Sequence, residues 1–255
     1  MRKEMHTAKN SVYNKIPIYW METLDDLMYS LNYHAELLPA EDHIFFHKEI
    51  MSFLMNVIAA LPLQSAEILL ALYDATTISL KTGRVNFHDN SFTGKATEVE
   101  VEEDNKELEK IQYKLFVNCG GGKKLDIQDY PFQSLVKNGK VSSAKAVFAD
   151  VHAIEDATNK KIIVTDDGQQ SLQLSGIAID GSYRTINVAG EPNSNIYDIN
   201  FTHTNGMRPY SYGLQACSAT SLILVESWVK EIKDGIKVGN NLQDLTELYE
   251  ENEGL

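Results

Sequence analysis

The sequence has few of the features that mark disulfide-rich, membrane-spanning or nucleic-acid-binding proteins. Its 255 residues contain two cysteines, Cys119 and Cys217, too few for a disulfide framework, which favours a reducing compartment. The longest apolar stretches, at 51–63 and 66–72, are interrupted by polar residues and a proline, so no membrane span is predicted. Lys and Arg number 23 against 36 Asp and Glu, a formal net charge of −13. This charge argues against nucleic-acid binding, because proteins bind the phosphate backbone through clustered Lys and Arg.

Length and hydrophobic content are sufficient for a full core. The chain is 43% hydrophobic, which predicts one domain with a helical extension or two small lobes. Apolar residues recur at helical spacing over 17–82. A strand is predicted at 97–102, a charged helical segment at 104–112, and further strands over 115–200. We therefore expect an α/β (α+β) fold with a mixed central sheet flanked by helices. Its predicted parts are an N-terminal helical region at 1–95, an α/β core at 96–239 and an acidic C-terminal tail at 240–255.

The main chemical candidate is Cys217, which follows a glycine-containing loop and opens an apolar, helix-patterned run. Free N–H groups and the positive end of the helix dipole favour a thiolate at such a position. The alternative is that Cys217 is a small buried hydrophobe among Ala, Leu, Ile and Val. We expect the apolar side of the same helix to pack in the core, namely Leu222, Val225, Val229, Ile232 and Ile236.

A histidine and two carboxylates upstream are predicted to serve this thiol. The segment 142–154 is predicted to be a strand that carries His152, and a second strand from Ile162 ends in Asp166 and Asp167 before a glycine. A carboxylate at the end of a neighbouring strand can orient an imidazole that activates a thiol. The predicted catalytic residues are therefore His152, one or both of the two aspartates, and Cys217.

Other residues offer alternative roles. Cys119 is a second candidate nucleophile, but the three glycines after it disfavour an activating helix. His203 is an alternative base, with Asp198 as its available acid. His43 and His47 stand four residues apart, as metal ligands on a helix can, yet no HExxH pattern or nearby cysteine accompanies them. No metal site is predicted.

The order of histidine, acid and cysteine resembles that of the YopJ-type effectors and, more distantly, the ubiquitin-like-protein peptidases of the same clan. The resemblance covers about residues 135–235. It is carried by Asn-Lys-Lys-Ile-Ile-Val after His152 and by Cys-Ser-Ala-Thr-Ser-Leu from Cys217. In that clan a glutamine before the cysteine commonly supplies an oxyanion donor. Gln215 is the candidate here, and the Cys217 backbone N–H together with a serine is the alternative.

The resemblance implies a cysteine-protease-like fold and a secreted effector that forms an acyl-enzyme on Cys217 and acetylates host signalling proteins. It also implies acetyl-CoA as acyl donor, a response to inositol hexakisphosphate, and a host protein as partner. No secretory signal is apparent, so we expect a specialised secretion system to deliver the protein into host cytoplasm, or else a cytoplasmic protein. The alternatives are a cysteine peptidase acting on ubiquitin-like tails and a non-catalytic protein-binding module.

Overall fold

A computed structural model describes residues 2–58, 61–86, 92–93, 96–103, 106–119, 124–157, 161–164, 168–211 and 213–234. The helices are α1 (Arg2–Asn14), α2 (Tyr19–His34), α3 (Ala40–Phe45), α4 (Met51–Ile58), α5 (Leu63–Asp74), α6 (Gln133–Lys137), α7 (Ala153–Asp156), α8 (Phe201–Thr204) and α9 (Gly213–Asp234). The strands are β1 (Arg84–Asn86), β2 (Phe92–Thr93), β3 (Ala96–Glu102), β4 (Leu108–Tyr113), β5 (Ser143–Val147), β6 (Ile162–Val164), β7 (Gln170–Ile177), β8 (Arg184–Ile186) and β9 (Pro192–Tyr197). The described strands form three antiparallel sheets, and helices dominate the N-terminal part. The α/β class with a helical N-terminal region is therefore confirmed.

The chain forms two compact units, each discontinuous in sequence. Unit 1 consists of Met1–Ile16 and Leu61–Lys123, and unit 2 of Pro17–Ala60 and Lys124–Leu255. Both hydrophobic clusters formed by the described residues belong to unit 2. The predicted tail at 240–255 lies outside the described residues.

Strand β3 is central to the sheet of unit 1, where it pairs with β1, β2 and β4. Its alternation buries Val99 and Val101, as the two-residue period of a strand requires. The predicted helical segment at 104–112 is wrong, because β4 runs antiparallel to β3 from the pair Thr97–Tyr113 to the pair Glu102–Leu108. Pairing along the free edge of β3 outweighs the helix propensity of the Glu and Lys residues in that segment.

Strand β7 is the central strand of the three-stranded sheet in unit 2, which has the order β5-β7-β6, while β8 and β9 form a separate two-stranded sheet. The prediction that the strand carrying His152 and the strand from Ile162 are neighbours is therefore wrong, since β7 separates β5 from β6. The predicted strand over 142–154 ends at Val147, and the chain turns at 151–152 before α7. Hydrophobic alternation predicted strands at β5 and β6. Strand β7 is buried at most of its positions. It occupies the centre of the sheet, where both backbone edges are paired.

Helix α8 and the residues after it lie directly against β7 because two glycines remove the side chains in between. A Cβ at Gly176, where φ is +81°, would lie 2.0 Å from the carbonyl oxygen of His203. A Cβ at Gly206 would lie 2.1 Å from the carbonyl oxygen of Ser175. These approaches fix the backbone of His203 and its neighbours against the sheet.

Helix α9 contributes a buried face of mostly small residues, Ala216, Thr220, Ile223 and Ser227. The prediction that its large apolar residues pack in the core is wrong, since they are 36–83% exposed at Leu222, Val225, Val229 and Ile232. Ile236 lies outside the described residues. The helical spacing predicted an apolar face of α9 as the packed one. The face that packs in the core is a different one, whose mostly small side chains allow close packing.

Candidate functional site

Cys217 lies in α9 with its side chain exposed. This exposure overturns the interpretation of Cys217 as a buried hydrophobe. The helix begins at Gly213, four residues before the cysteine. Because unpaired N–H groups are confined to the first four residues of a helix, the Cys217 N–H belongs to the internal ladder and is a poor oxyanion donor. The thiol therefore lies one turn inside the helix, accessible to solvent.

His152 is also exposed and immediately precedes α7. Its backbone N–H donates to Asp150 Oδ1 at 2.9 Å. The same loop is held by Glu41, whose carboxylate accepts from the backbone N–H groups of Ala149 and Asp150 at 3.3 and 3.1 Å. Within the described ranges no hydrogen bond joins His152 to Cys217, so their pairing stays a prediction.

Three further predicted site residues receive no structural test. Asp166 and Asp167 lie outside the described residues, as does the side chain of Gln215, whose backbone is part of α9. The strand-pairing argument that placed the two aspartates beside His152 is lost, since β5 and β6 are not neighbours. Cys119, the alternative nucleophile, is exposed and belongs to unit 1.

The structure does bring together the alternative base and its acid. His203 Nδ1 lies 2.8 Å from Asp198 Oδ2. The same oxygen accepts from the hydroxyl of Tyr130 at 2.8 Å, and Oδ1 accepts from the backbone N–H of Asn200 at 2.9 Å. The edge of Tyr130 meets the His203 ring, with ring centroids 5.1 Å apart at 74°. Asp198 is thus a buried carboxylate with three donors, one of which is the imidazole.

Burial and the neighbouring Asp198 both raise the pKa of Tyr130. Its hydroxyl therefore stays protonated at neutral pH and donates to the carboxylate. This hydrogen bond fixes the position of Asp198 independently of the protonation of His203.

The local sequence explains the position of the imidazole. Asp198 directly follows β9, and Asn200 is the N-cap of α8, with its side chain accepting from the backbone N–H of Thr202 at 3.0 Å. An Asn cap fixes the first turn of a short helix. That turn places His203 next to Asp198, five residues earlier. The spacing Asp-x-Asn-x-x-His was the sequence feature from which this contact could have been predicted.

The second ring nitrogen of His203 is available for chemistry. The side chain is 12% exposed, and no hydrogen bond to Nε2 is found among the described residues. Since a carboxylate accepts, the neutral ring carries its proton on Nδ1 and a lone pair on Nε2. This is the tautomer of a general base oriented by an acid.

Tyr183 connects this pair to α9. The backbone N–H of Asp198 donates to the Tyr183 carbonyl at 3.0 Å. The Tyr183 hydroxyl lies 3.0 Å from Oγ1 of Thr220, which is buried one turn after Cys217. Tyr183 therefore contacts Asp198 through its backbone and the buried Thr220 of α9 through its side chain.

Buried ion pairs hold the segment around Tyr183. Arg184 Nε donates to Asp180 Oδ2 at 2.6 Å, and the Arg208 guanidinium pairs with Glu36. Arg208 also lies 5.2 Å from the centroid of the Tyr183 ring, in a cation–π contact. Burial raises the pKa of Asp180 and the Arg184 charge opposes that shift. These contacts order Tyr183 and hence the link to α9.

Metal and membrane sites are not evident in the part of the chain that the structure describes. No group of three or more His, Cys, Asp or Glu residues there could hold a metal ion. No described helix is long and apolar enough to cross a bilayer.

Comparison with known proteins points to a different family from the one expected. Residues 1–58 match a family model described as a YdhS-like middle domain. The match covers 58 of the 255 residues and is a similarity of the N-terminal part alone. No curated protein and no solved structure matches the chain. The YopJ-type resemblance is therefore wrong, since the family match is to another family and lies outside residues 135–235.

Proposed function

We propose that unit 2 is a thiol enzyme in which Cys217 forms an acyl-enzyme and the His203–Asp198 pair supplies the base. The observation that supports this proposal is the 2.8 Å contact between His203 Nδ1 and Asp198 Oδ2, in a side chain that is 12% exposed. His203 takes precedence over His152 because an acid orients its ring within the described structure. The exposed thiol and the oriented imidazole belong to the same compact unit.

The proposed chemistry begins when Nε2 of His203 takes the proton of the Cys217 thiol. The thiolate adds to the carbonyl carbon of a thioester, ester or amide, and the leaving group departs with the proton from the imidazolium. The acyl thioester is then attacked by an amine, a hydroxyl or water, whose proton passes to His203, and the C–S bond breaks to release Cys217 as the thiolate. Asp198 stabilises the imidazolium throughout, and Tyr130 keeps this carboxylate in place.

The acceptor distinguishes an acyltransferase from a peptidase. Transfer to a protein amine or hydroxyl is the primary proposal, and hydrolysis is its alternative outcome. With the family resemblance overturned, acetyl-CoA is one of several acyl donors for which the protein is to be tested.

The first experiment measures the reactivity of Cys217 in a Cys119→Ser background. Iodoacetamide alkylation is followed by intact mass between pH 5 and 9, in the parent chain and in His203→Gln, Asp198→Asn and His152→Gln variants. Only the thiolate reacts, so loss of the base should slow alkylation at neutral pH by at least about tenfold. We expect this loss in His203→Gln, a smaller one in Asp198→Asn, and none in the matched His152→Gln control.

The same measurement can refute the proposal. Slowing by His152→Gln instead of His203→Gln would return the role of base to His152. If neither variant changes the rate, and Cys217 reacts no faster than Cys119 does in a Cys217→Ser chain, the thiol enzyme is excluded and the protein-binding module is favoured.

The second experiment tests whether the covalent acyl-enzyme forms on Cys217. Parent chain and Cys217→Ser are incubated with p-nitrophenyl acetate or acetyl-CoA, quenched in acid and digested for mass spectrometry. One acetyl group on the peptide containing Cys217, absent from the Cys217→Ser chain, is the expected result. Equal acetylation of both chains, confined to lysines, would contradict an acyl-enzyme.

A further inference from the structure

A cavity of about 310 Å³ lies within unit 2, and neither Cys217 nor His203 is among the described residues that line it. Its walls come from the helical segment 43–55, strand β7 and the turn after α8, and the lining includes His43, Met51, Met55, Lys124, Leu174 and Asn205. We call it the His43 cavity. Between α3 and α4 its helical wall changes to a π-helical turn at Phe46–Ile50, and π turns are frequent at functional sites.

The His43 side chain is 1% exposed, yet neither ring nitrogen has a hydrogen-bond partner among the described residues. The Ala35 carbonyl favours the protonated ring but does not meet hydrogen-bond geometry with either nitrogen. Burial lowers the pKa of His43, so the ring is neutral at pH 7. A neutral imidazole offers one donor and one acceptor, and both are unused here.

Asn205, in the turn after α8, adds a second unused group to the lining of the same cavity. Its Oδ1 atom is buried and has no partner within the described structure. The close approach of Gly206 to Ser175 fixes the backbone next to Asn205 against β7. Nearly all buried polar atoms in folded proteins are hydrogen-bonded, so unused groups that line one cavity call for a ligand or ordered water.

The charge of the cavity differs from that of the whole protein. The chain has a net charge of −13, but no Asp or Glu lines the cavity within the described residues, whereas Lys124 does. The Lys124 side chain is exposed. Apolar surface from Met51, Met55 and Leu174 completes the lining. The cavity therefore combines an apolar wall, buried hydrogen-bonding groups and a cation.

We propose that the His43 cavity binds a small aromatic carboxylic acid that carries an O–H or N–H donor. The donor pairs with Asn205 Oδ1 or with the acceptor nitrogen of His43, and the ring packs on the methionines. The carboxylate pairs with Lys124. Cavities of a few hundred Å³ with apolar walls and a few polar groups are typical of small-molecule sites.

The test uses the full chain labelled with ¹⁵N and 4-hydroxybenzoate as the probe. The His43 ring nitrogens are followed by long-range ¹H–¹⁵N NMR while the probe is added to millimolar concentration. We expect a saturable shift of the His43 nitrogens. Methylation of the probe to 4-methoxybenzoate removes the donor, and 4-hydroxybenzyl alcohol removes the charge. Each change should weaken binding at least about fivefold.

Three variants make the result specific. Lys124→Gln should weaken binding at least about fivefold, because it removes the cation. Met55→Trp should abolish binding by filling the cavity, at a position where the parent side chain is 38% exposed and the chain tolerates a larger residue. Lys145→Gln, a matched change at an exposed lysine on β5 outside the cavity, should bind as the parent chain does.

Linear shifts without saturation would show that the cavity holds water and would overturn the proposal. Equal affinity of the parent, Lys124→Gln and Met55→Trp chains would do the same, since binding would then lie elsewhere. A folded chain is confirmed for each variant by its thermal unfolding midpoint.

Discussion

Among the described residues, both units have exposed ion pairs, but the buried ion pairs lie in unit 2. In unit 1 the described pairs lie on the surface, with Lys9 Nζ 2.6 Å from Glu67 Oε1 and Lys81 joined to Glu109. In unit 2 the pairs of Arg184 with Asp180 and Arg208 with Glu36 are almost completely buried. The apolar clusters of the described residues also lie in unit 2.

This difference shows where polar contacts determine structure. Water screens an exposed pair and either partner can be solvated when the other is removed, so such a pair contributes little. A buried charge that loses its partner has no solvent to replace it. Unit 2 should therefore depend on the identity of its charged residues far more strongly than unit 1.

The largest expected effect is that of Arg208→Met, which leaves the Glu36 carboxylate buried without its partner and removes the contact with Tyr183. We expect the free energy of unfolding to fall by about 3–5 kcal/mol. Both tryptophans, Trp20 and Trp228, belong to unit 2, so urea denaturation followed by tryptophan fluorescence reports on the correct unit.

The matched control for this prediction is the double variant Arg208→Met with Glu36→Gln. Removing both charges should recover part of the lost stability, because no buried charge remains. A single variant within about 1 kcal/mol of the parent chain would show that water reaches this pair and would remove the contrast between the units.

A smaller effect on the free energy of unfolding is expected from protonation of His43. Burial lowers the pKa of this ring, while the Ala35 carbonyl and the carboxylates of Asp42 and Glu36 oppose the shift. The unfolded chain therefore binds a proton at higher pH than the folded chain does. Stability from this group is complete above the unfolded pKa of about 6.5 and is lost as pH falls below it.

The measurement is the change in unfolding free energy between pH 7.5 and 5.5 for the parent chain and for His43→Gln. The parent chain should lose more stability on acidification than the variant, since glutamine does not titrate. The same loss in both chains would assign the pH dependence to other groups.

The smallest effect is expected in unit 1. Lys9→Gln removes the pair with Glu67, but the lysine and its partner are 39% and 46% exposed. The urea midpoint followed by far-ultraviolet circular dichroism should not change measurably, because water replaces the lost contact. A clear decrease would mean that this surface pair holds α1 to α5.

Local sequence patterns predicted the individual helices and strands of this fold better than they predicted which elements lie next to each other. The N-terminal helices, β3 and α9 follow from the apolar spacing of their own residues, as the buried Val99 and Val101 illustrate. The position of β7 between β5 and β6 does not, because strand order depends on contacts between segments far apart in sequence. The buried face of α9 was missed for a related reason, since Ala216 and Ser227 are buried by close packing and not by hydrophobicity.

The candidate site shows the same limit. Cys217 and the two histidines were candidates from the sequence, but the exposure of the thiol was left open, and His152 was favoured through a pair of neighbouring strands that does not form. The contact of His203 with Asp198 depends on the cap at Asn200, a local feature within reach of sequence reasoning. The lack of hydrogen-bond partners for the His43 ring among the described residues could not be predicted from the sequence, because it depends on which segments surround the ring in the folded chain.

The discontinuity of unit 2 has a consequence for synthesis on the ribosome. Tyr33 packs in one cluster with Val141 and Ile223, so α2 completes its packing only with residues that are synthesised near the end of the chain. A nascent chain that stops before residue 124 contains α2 to α4 but lacks β5 to β9 and α9. These early helices can bury Met28, Phe46 and Leu54 against one another, but Tyr33 and Ala40 lack their later partners until about 100 further residues have emerged. The segment 17–60 therefore completes its packing only after the C-terminal part of unit 2 has been synthesised.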